Sequence, residues 1–301
     1  MFKCKLRLDN NDLKYYNNIK MCEVSFLNSA QTFEIINPVD KEKSFKAALF
    51  DFDGTLSLIR EGWQEIMIPY FCEEFIASVP DHTETDEEIY LLVKDFVDAL
   101  TGKQTIFQCM KLKEEIEKRG KAAKTAMEYK DEYLRRLFLK ISSRREGLSD
   151  GTIEQKSLLV KGAEDFLREL KACGIPLFCA SGTDQPQVIE EAKLLGLDKY
   201  FDDNIFGAID EQAQQCSKEL VIRRLMKEND IKGEELLSFG DGFVEIELVH
   251  NVGGYTVAVA TDEKNKAGID ENKRKRLIDA GADIVIPDFS DYNELINYLI
   301  K

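Results

Sequence analysis

Histidine is nearly missing from this sequence: 301 residues include only two, His82 and His250. A zinc centre and a histidine-based nucleophile triad would both be short of groups. Cysteine is present but unpatterned. The seven residues (Cys4, Cys22, Cys72, Cys109, Cys173, Cys179 and Cys216) are odd in number, scattered, and contain no Cys-x-x-Cys pair. That usage suits a reduced, cytoplasmic protein in which most of them act as small apolar groups. No apolar run reaches membrane-spanning length, and Met1 to Asn10 lacks the continuous apolar stretch of a secretory signal. Positive charge is in deficit. The net charge of −15 argues against a duplex nucleic acid partner. It leaves room for a phosphorylated one, because local lysines and arginines set the field inside a cleft.

What is there reads as a soluble globular chain, 44% hydrophobic and 32% charged, of a length that suits one large domain or two ordinary ones. Residues 1–45 form an extension of unclear structure, in which Phe2–Leu8, Cys22–Leu27 and Thr32–Ile36 look strand-like. Residues 58–157 read as helical. Ile89, Leu92, Val93, Phe96 and Leu100 recur at helical spacing up to Thr101-Gly102. Tyr129, Tyr133, Leu134, Leu137 and Ile141 mark a second amphipathic helix, and an earlier one starts near Trp63 with Pro69 as a kink. From residue 158 short strands and helices alternate. The strands are Leu177–Ala180, Ile205–Gly207, Leu236–Phe239, Tyr255–Ala260 and Asp283–Pro287, and Leu220, Val221 and Leu225 mark a helix between them. Such alternation predicts a parallel sheet covered on both faces.

Four segments bear the chemistry. Phe45–Phe50 predicts a buried strand, and Asp51-Phe52-Asp53-Gly54-Thr55 leaves its end with two carboxylates two residues apart. One can bind a hard cation and attack phosphorus, the other can handle a proton, and Gly54 allows the sharp turn. Cys179-Ala180-Ser181-Gly182-Thr183 follows the second strand, where a hydroxyl and free N–H groups can hold phosphoryl oxygens. Lys218 opens a helix, against the helix dipole unless it faces an anion. Gly240-Asp241-Gly242-Phe243-Val244-Glu245 follows the fourth strand with two more carboxylates.

Taken in order, these segments resemble the four motifs of the haloacid dehalogenase superfamily, over residues 46–301, with Glu245 where aspartate is commoner. The resemblance implies an α/β fold: a Rossmann-like parallel-sheet core (46–57 and 158–301) with an all-helical C1 cap (58–157) inserted after the first motif. The stretch from Phe206 to Asp241 is too short for a second cap. It further implies a phosphatase of the phosphoglycolate phosphatase and β-phosphoglucomutase-like subclass. Asp51 would be the nucleophile and Asp53 the acid and base. Ser181, Gly182 and Lys218 would bind phosphate. Asp51, Asp53 (through its backbone carbonyl) and Asp241 would hold Mg²⁺, with Thr55 and Glu245 supporting them. The substrate would be a small phosphorylated metabolite, such as a sugar phosphate.

Mutases of the family usually place a histidine shortly after the first motif. Ser57–Trp63 has none, so hydrolysis is favoured over the alternative, a β-phosphoglucomutase-type transfer, and over a catalytically silent phospholigand-binding protein. Arg60 and Trp63 lie where the chain enters the cap and are candidates for substrate selection. Arg135, Arg136, Arg144 and Arg145 read as solvated helix surface. Converging Asp51, Asp53, Asp241 and Glu245 would repel one another by roughly 4 kcal/mol for a pair about 4 Å apart. On that reading, deleting Asp241 should stabilise the metal-free protein.

Overall fold

The structure, a computed structural model, describes residues 33–209 and 218–300. The strand-like stretches Phe2–Leu8 and Cys22–Leu27 lie outside the described residues. Of Thr32–Ile36, Glu34–Ile35 forms strand β1.

The remaining strands are β2 (Ala47–Phe50), β3 (Leu177–Asp184), β4 (Ile205–Ala208), β5 (Leu236–Gly240), β6 (Tyr255–Val259) and β7 (Ile284–Ile286). They form one sheet in the order β1-β7-β6-β5-β2-β3-β4. Every pairing is parallel except the antiparallel edge of β1 on β7. All four residues of β2 are buried, as in a strand covered on both faces. Phe50 stacks on Phe239 with ring centroids 4.6 Å apart, and Phe166 packs edge-on against Phe239 at 4.9 Å. Strand β2 has β3 on one side and β5 on the other, so the strand order reverses there. In open α/β sheets that reversal leaves a crevice outside the carboxyl ends of the strands. Asp51 is the first residue to enter it.

Between β2 and β3 the chain makes helices α1 (Gln64–Ser78), α2 (Asp86–Ala99), α3 (Thr105–Glu117) and α4 (Ala126–Asp150). Thr85 with Glu88, and Thr125 with Glu128, close reciprocal caps on α2 and α4. The apolar stripe of α4 is buried at Tyr129, Tyr133, Leu137 and Ile141 as its spacing predicts. Pro69 lies inside α1 without ending it. The segments entering and leaving the insert run side by side: Leu58 N–H donates to the Leu158 carbonyl at 2.8 Å, and Val160 N–H to that of Leu56 at 3.0 Å. Arg144 departs from the expectation of a solvated surface. It is half-buried and donates to the carbonyls of Ile59 (2.8 Å) and Glu61 (2.9 Å), tying α4 to the entry segment.

After the insert come α5 (Ala163–Ala172), α6 (Gln185–Leu194), α7 (Asp198–Phe201), α8 (Lys218–Glu228), α9 (Phe243–Asn251), α10 (Glu271–Asp279) and α11 (Tyr292–Ile300). Two details differ from the sequence reading. Strand β3 does not stop at Ala180 but continues to Asp184, with a shift of register against β4 between Ala180 and Asp184. Such an irregularity re-aims side chains at the end of a strand. In α8 the buried residues are Lys218, Ile222 and Leu225, while Leu220 is exposed.

Candidate active site

The nucleophile candidate is held before any substrate arrives. Asp51 is buried, its Oδ1 accepts from the Phe52 N–H at 2.8 Å, and its Oδ2 lies 2.9 Å from Lys218 Nζ. Lys218 is shared with Glu245 Oε2 at 2.6 Å, and Glu245 Oε1 accepts from the Gly242 N–H at 2.7 Å. Gly240 leaves the space that Glu245 fills; a Cβ there would overlap its side chain. Burial pushes the Asp51 carboxyl well above the usual range, with Lys218 pulling it back. Burial opposes the charge of Lys218, but Asp51 and Glu245 outweigh it and hold its pKa above normal.

Asp53 faces the other way. Its Oδ2 accepts from Thr183 Oγ at 2.8 Å and from Ser181 Oγ at 3.3 Å. Its Oδ1 is buried and has no hydrogen-bond partner among the described residues. Ser181 Oγ also accepts from the Thr183 N–H at 3.0 Å. Residues 181 and 183 share one side of β3 because strand side chains alternate, so Thr183 was findable in the quoted segment but was passed over.

Gly54 has φ +75° and lies against Asp241; a Cβ would overlap the Asp241 carboxylate. Thr55 Oγ donates to Asp241 Oδ1 at 3.4 Å. Asp241 Oδ2 accepts from Lys273 Nζ at 3.0 Å, and the same ammonium donates to Glu263 Oε1 at 2.7 Å. The sequence reading singled out neither Lys273 nor Glu263. Carboxylate oxygens of Asp51, Asp241 and Glu245 lie within 4.8 Å of one another. Of these, Asp51 and Asp241 face the cavity between core and insert and Glu245 does not, which leaves Asp51 and Asp241 as the anionic donors. An oxygen-only donor set fits a hard divalent cation.

Arg60 is buried rather than spread on the surface. Its Nε and Nη2 form a fork on Glu191 at 3.0 and 2.8 Å, and Nη2 reaches Gln187 Oε1 at 2.9 Å. Nε is 3.8 Å from Asp53 Oδ1. Glu191 is fully buried, and burial raises its pKa against the pull of Arg60. Neither Gln187 nor Glu191 stood out in the sequence.

These groups surround a cavity of about 90 Å³. The core contributes Asp51, Asp53, Ser181, Gly182, Lys218 and Asp241, and the helical insert contributes Trp63, Met67, Lys103, Gln108 and Tyr133. Gly182 allows close approach of the two sides: a Cβ there would stand 2.7 Å from the Lys103 carbonyl oxygen. Two carboxylates of different environment, a buried ammonium and a place for a hard cation can together bind a phosphoryl group and exchange its oxygen substituent.

A sequence model of the haloacid dehalogenase-like hydrolases matches residues 45–253. The chain belongs to the haloacid dehalogenase-like hydrolase family. Solved structures show the same fold at low identity. A predicted phosphatase from Clostridium acetobutylicum has a TM-score of 0.55 and 20% identity, over 85% of this chain and 100% of that one. A β-phosphoglucomutase from Clostridium difficile gives 0.54 and 16%, over 84% and 99%. A predicted phosphoglycolate phosphatase from Haemophilus somnus 129pt gives 0.51 and 19%, over 83% and 97%. No curated protein sequence matches the chain. For this member of the haloacid dehalogenase-like hydrolases, no helix among the described residues is long and apolar enough to cross a membrane.

Proposed function

We propose that this chain is a phosphatase that hydrolyses a small phosphomonoester through a phosphorylated Asp51. The carrying observation is the division of labour between the two carboxylates. Asp51 is held by Lys218 at 2.9 Å, while Asp53 Oδ1, on the same cavity, accepts no hydrogen bond among the described residues and has only the Arg60 guanidinium 3.8 Å away. An Asp51 oxygen attacks phosphorus, the ester P–O bond breaks, and Asp53 gives its proton to the departing oxygen. Asp53 then takes a proton from water, which attacks the phosphorylated Asp51 and releases phosphate. Lys218 and Ser181 neutralise and hold the phosphoryl oxygens, and Glu245 keeps Lys218 in place.

Mg²⁺ is the ion the donor set suits; when bound, it supplies charge neutralisation between the attacking carboxylate and the anionic phosphate. Asp51 and Asp241, with the Asp53 carbonyl, would hold it. The insert over residues 58–157 acts as a cap. The paired strands of chain at Leu56–Leu58 and Leu158–Val160 are its hinge, and Trp63 and Gln108 are part of its roof. Trp63, Met67 and Tyr133 of the insert line the same cavity as Asp51 and Asp53, which supports a compact substrate held between the two sides.

The test is phosphate release from a panel of small phosphomonoesters with and without Mg²⁺. Asp51→Asn is nearly isosteric and should lower turnover at least about a thousandfold while the protein stays folded. Acid quenching during turnover of a ³²P-labelled ester should leave label on the wild-type chain and none on the variant. Wild-type turnover in Asp51→Asn would end the covalent reading.

A further inference from the structure

Lys273 stands in the first turn of α10, where a lysine works against the helix dipole. Its backbone is fixed there, since the Asp270 carboxylate accepts from the N–H groups of Asn272 at 2.9 Å and Lys273 at 3.0 Å. Its side chain is about nine-tenths buried. The ammonium therefore has few alternatives to the two carboxylates it touches, Asp241 Oδ2 at 3.0 Å and Glu263 Oε1 at 2.7 Å. Thr55 Oγ donates to the other Asp241 oxygen, Oδ1, and the bare Cα of Gly54 leaves room for Asp241 Oδ2 and Glu263 Oε1 side by side. The metal-binding carboxylate of the proposed site thus has a resident cation of its own, tethered through Glu263 to the loop that follows β6.

We propose that the Lys273–Glu263 pair sets the affinity of the site for its divalent cation. Lys273 shares the charge of Asp241 and weakens binding, and Glu263 shares Lys273 and restores it. This rests on the reading of Asp241 as a metal ligand. The arrangement gives the protein a built-in counter-charge for Asp241 when the metal leaves, so the site keeps its shape and the metal stays exchangeable. A merely structural pair would behave differently: losing either partner would loosen Asp241 and weaken metal binding in both cases.

The experiment is calorimetric titration of the full chain with Mg²⁺, repeated as the rise in Tm on adding Mg²⁺, so that no activity is needed. Lys273→Met should bind Mg²⁺ about tenfold more tightly and Glu263→Gln about tenfold more weakly, a change of one unit charge in each direction. Lys264→Met, which removes an exposed charge on the same loop, should stay within about twofold. Shifts of the same sign in the two variants, or no shift in either, would overturn the proposal while leaving Asp241 as a ligand. A wild-type protein that binds no Mg²⁺ would overturn the metal reading itself and this proposal with it. Should Lys273→Met fail to fold, Lys273→Gln takes its place, removing the same charge while keeping a polar end between Asp241 and Glu263: tighter Mg²⁺ binding supports the proposal, and unchanged or weaker binding overturns it.

Discussion

The core side and the insert side of the cavity are built differently. On the core side each charged group is held by a neighbour within 3.0 Å: Asp51 by Lys218, Asp53 by Thr183, Asp241 by Lys273 and Lys218 by Glu245. The insert contributes Trp63 and Met67, the ring of Tyr133, the amide of Gln108 and an exposed Lys103. Gln108 is buried, its Nε2 donates to the Leu100 carbonyl at 3.2 Å, and its Oε1 has no partner among the described residues. Reorganising charges during a reaction is costly, so a site that handles phosphate fixes them in advance. Distinguishing one small alcohol from another needs shape and one or two polar contacts, which a roof of mixed side chains supplies. On the proposed function the core side would serve the chemistry and the insert side the choice of substrate.

The sharpest way to break that contrast is at Asp241. Asp241→Ala should lower turnover about a thousandfold, and EDTA should silence the wild type. Its stability without metal separates two views of the core side. Carboxylates alone would repel, and the deletion would raise Tm. Because Lys273 lies 3.0 Å from Asp241, the deletion instead leaves a buried ammonium with Glu263 alone, and Tm in EDTA should fall. A rise in Tm would show that repulsion dominates after all.

Arg60 lies at the boundary of the two regions. The sequence suggested a residue that selects substrate, but its guanidinium is committed to a fully buried Glu191. Arg60→Ala should cost about 3 kcal/mol of stability by stranding that carboxylate, and Arg60→Met with Glu191→Leu should recover most of it. Chemical denaturation of the wild type and these two variants measures this. If Arg60→Ala keeps wild-type stability and raises KM for one substrate alone, Arg60 belongs with the roof.

On the insert side, Gln108→Leu removes the unpartnered oxygen at nearly constant volume. It should raise KM for a hydroxyl-bearing substrate about tenfold, the value of one lost hydrogen bond, and leave a small aryl phosphate unchanged. Equal losses on both substrates would move Gln108 to the structural frame.

The smallest effect concerns pH. Burial raises the native-state pKa of Asp51, so without metal the folded chain holds that proton more tightly than the unfolded one. The contribution is present below the ordinary carboxylate range near about pH 4. It is lost as pH rises through the raised native value. In EDTA, the Tm advantage of Asp51→Asn over wild type should therefore widen from about pH 4.5 to pH 8. A gap independent of pH would mean that Lys218 compensates Asp51 completely.

Much of the core side was legible because its signals are local. Asp51, Asp53 and Gly54 follow an apolar strand with no polar face, and a strand of that kind belongs in the middle of a sheet. Asp241 and Glu245 follow another, and a helix begins between them at Phe243. The end of β3 was misplaced because its continuation depends on Asp184 pairing with Ala208 of β4 beyond a shift of register, a property of two strands. Lys273 is 32 residues from Asp241, and Glu191 is 131 from Arg60. Nothing near Glu191 distinguishes it from other glutamates on helices, whereas Lys273 lies in the first turn of a helix, the same signal as Lys218, and was passed over.

The sequence by itself determined which carboxylates stand at strand ends, that a helical insert follows the first of them, and which family the chain resembles. Those properties depend on residue order within a few turns of chain. The tertiary structure alone decided which cation neutralises each carboxylate, which oxygen of Asp53 accepts no hydrogen bond, and which insert side chains share the cavity with Asp51. Each of these depends on the packing of elements far apart in the chain, where a buried charge settles against whichever partner the fold brings within about 3 Å.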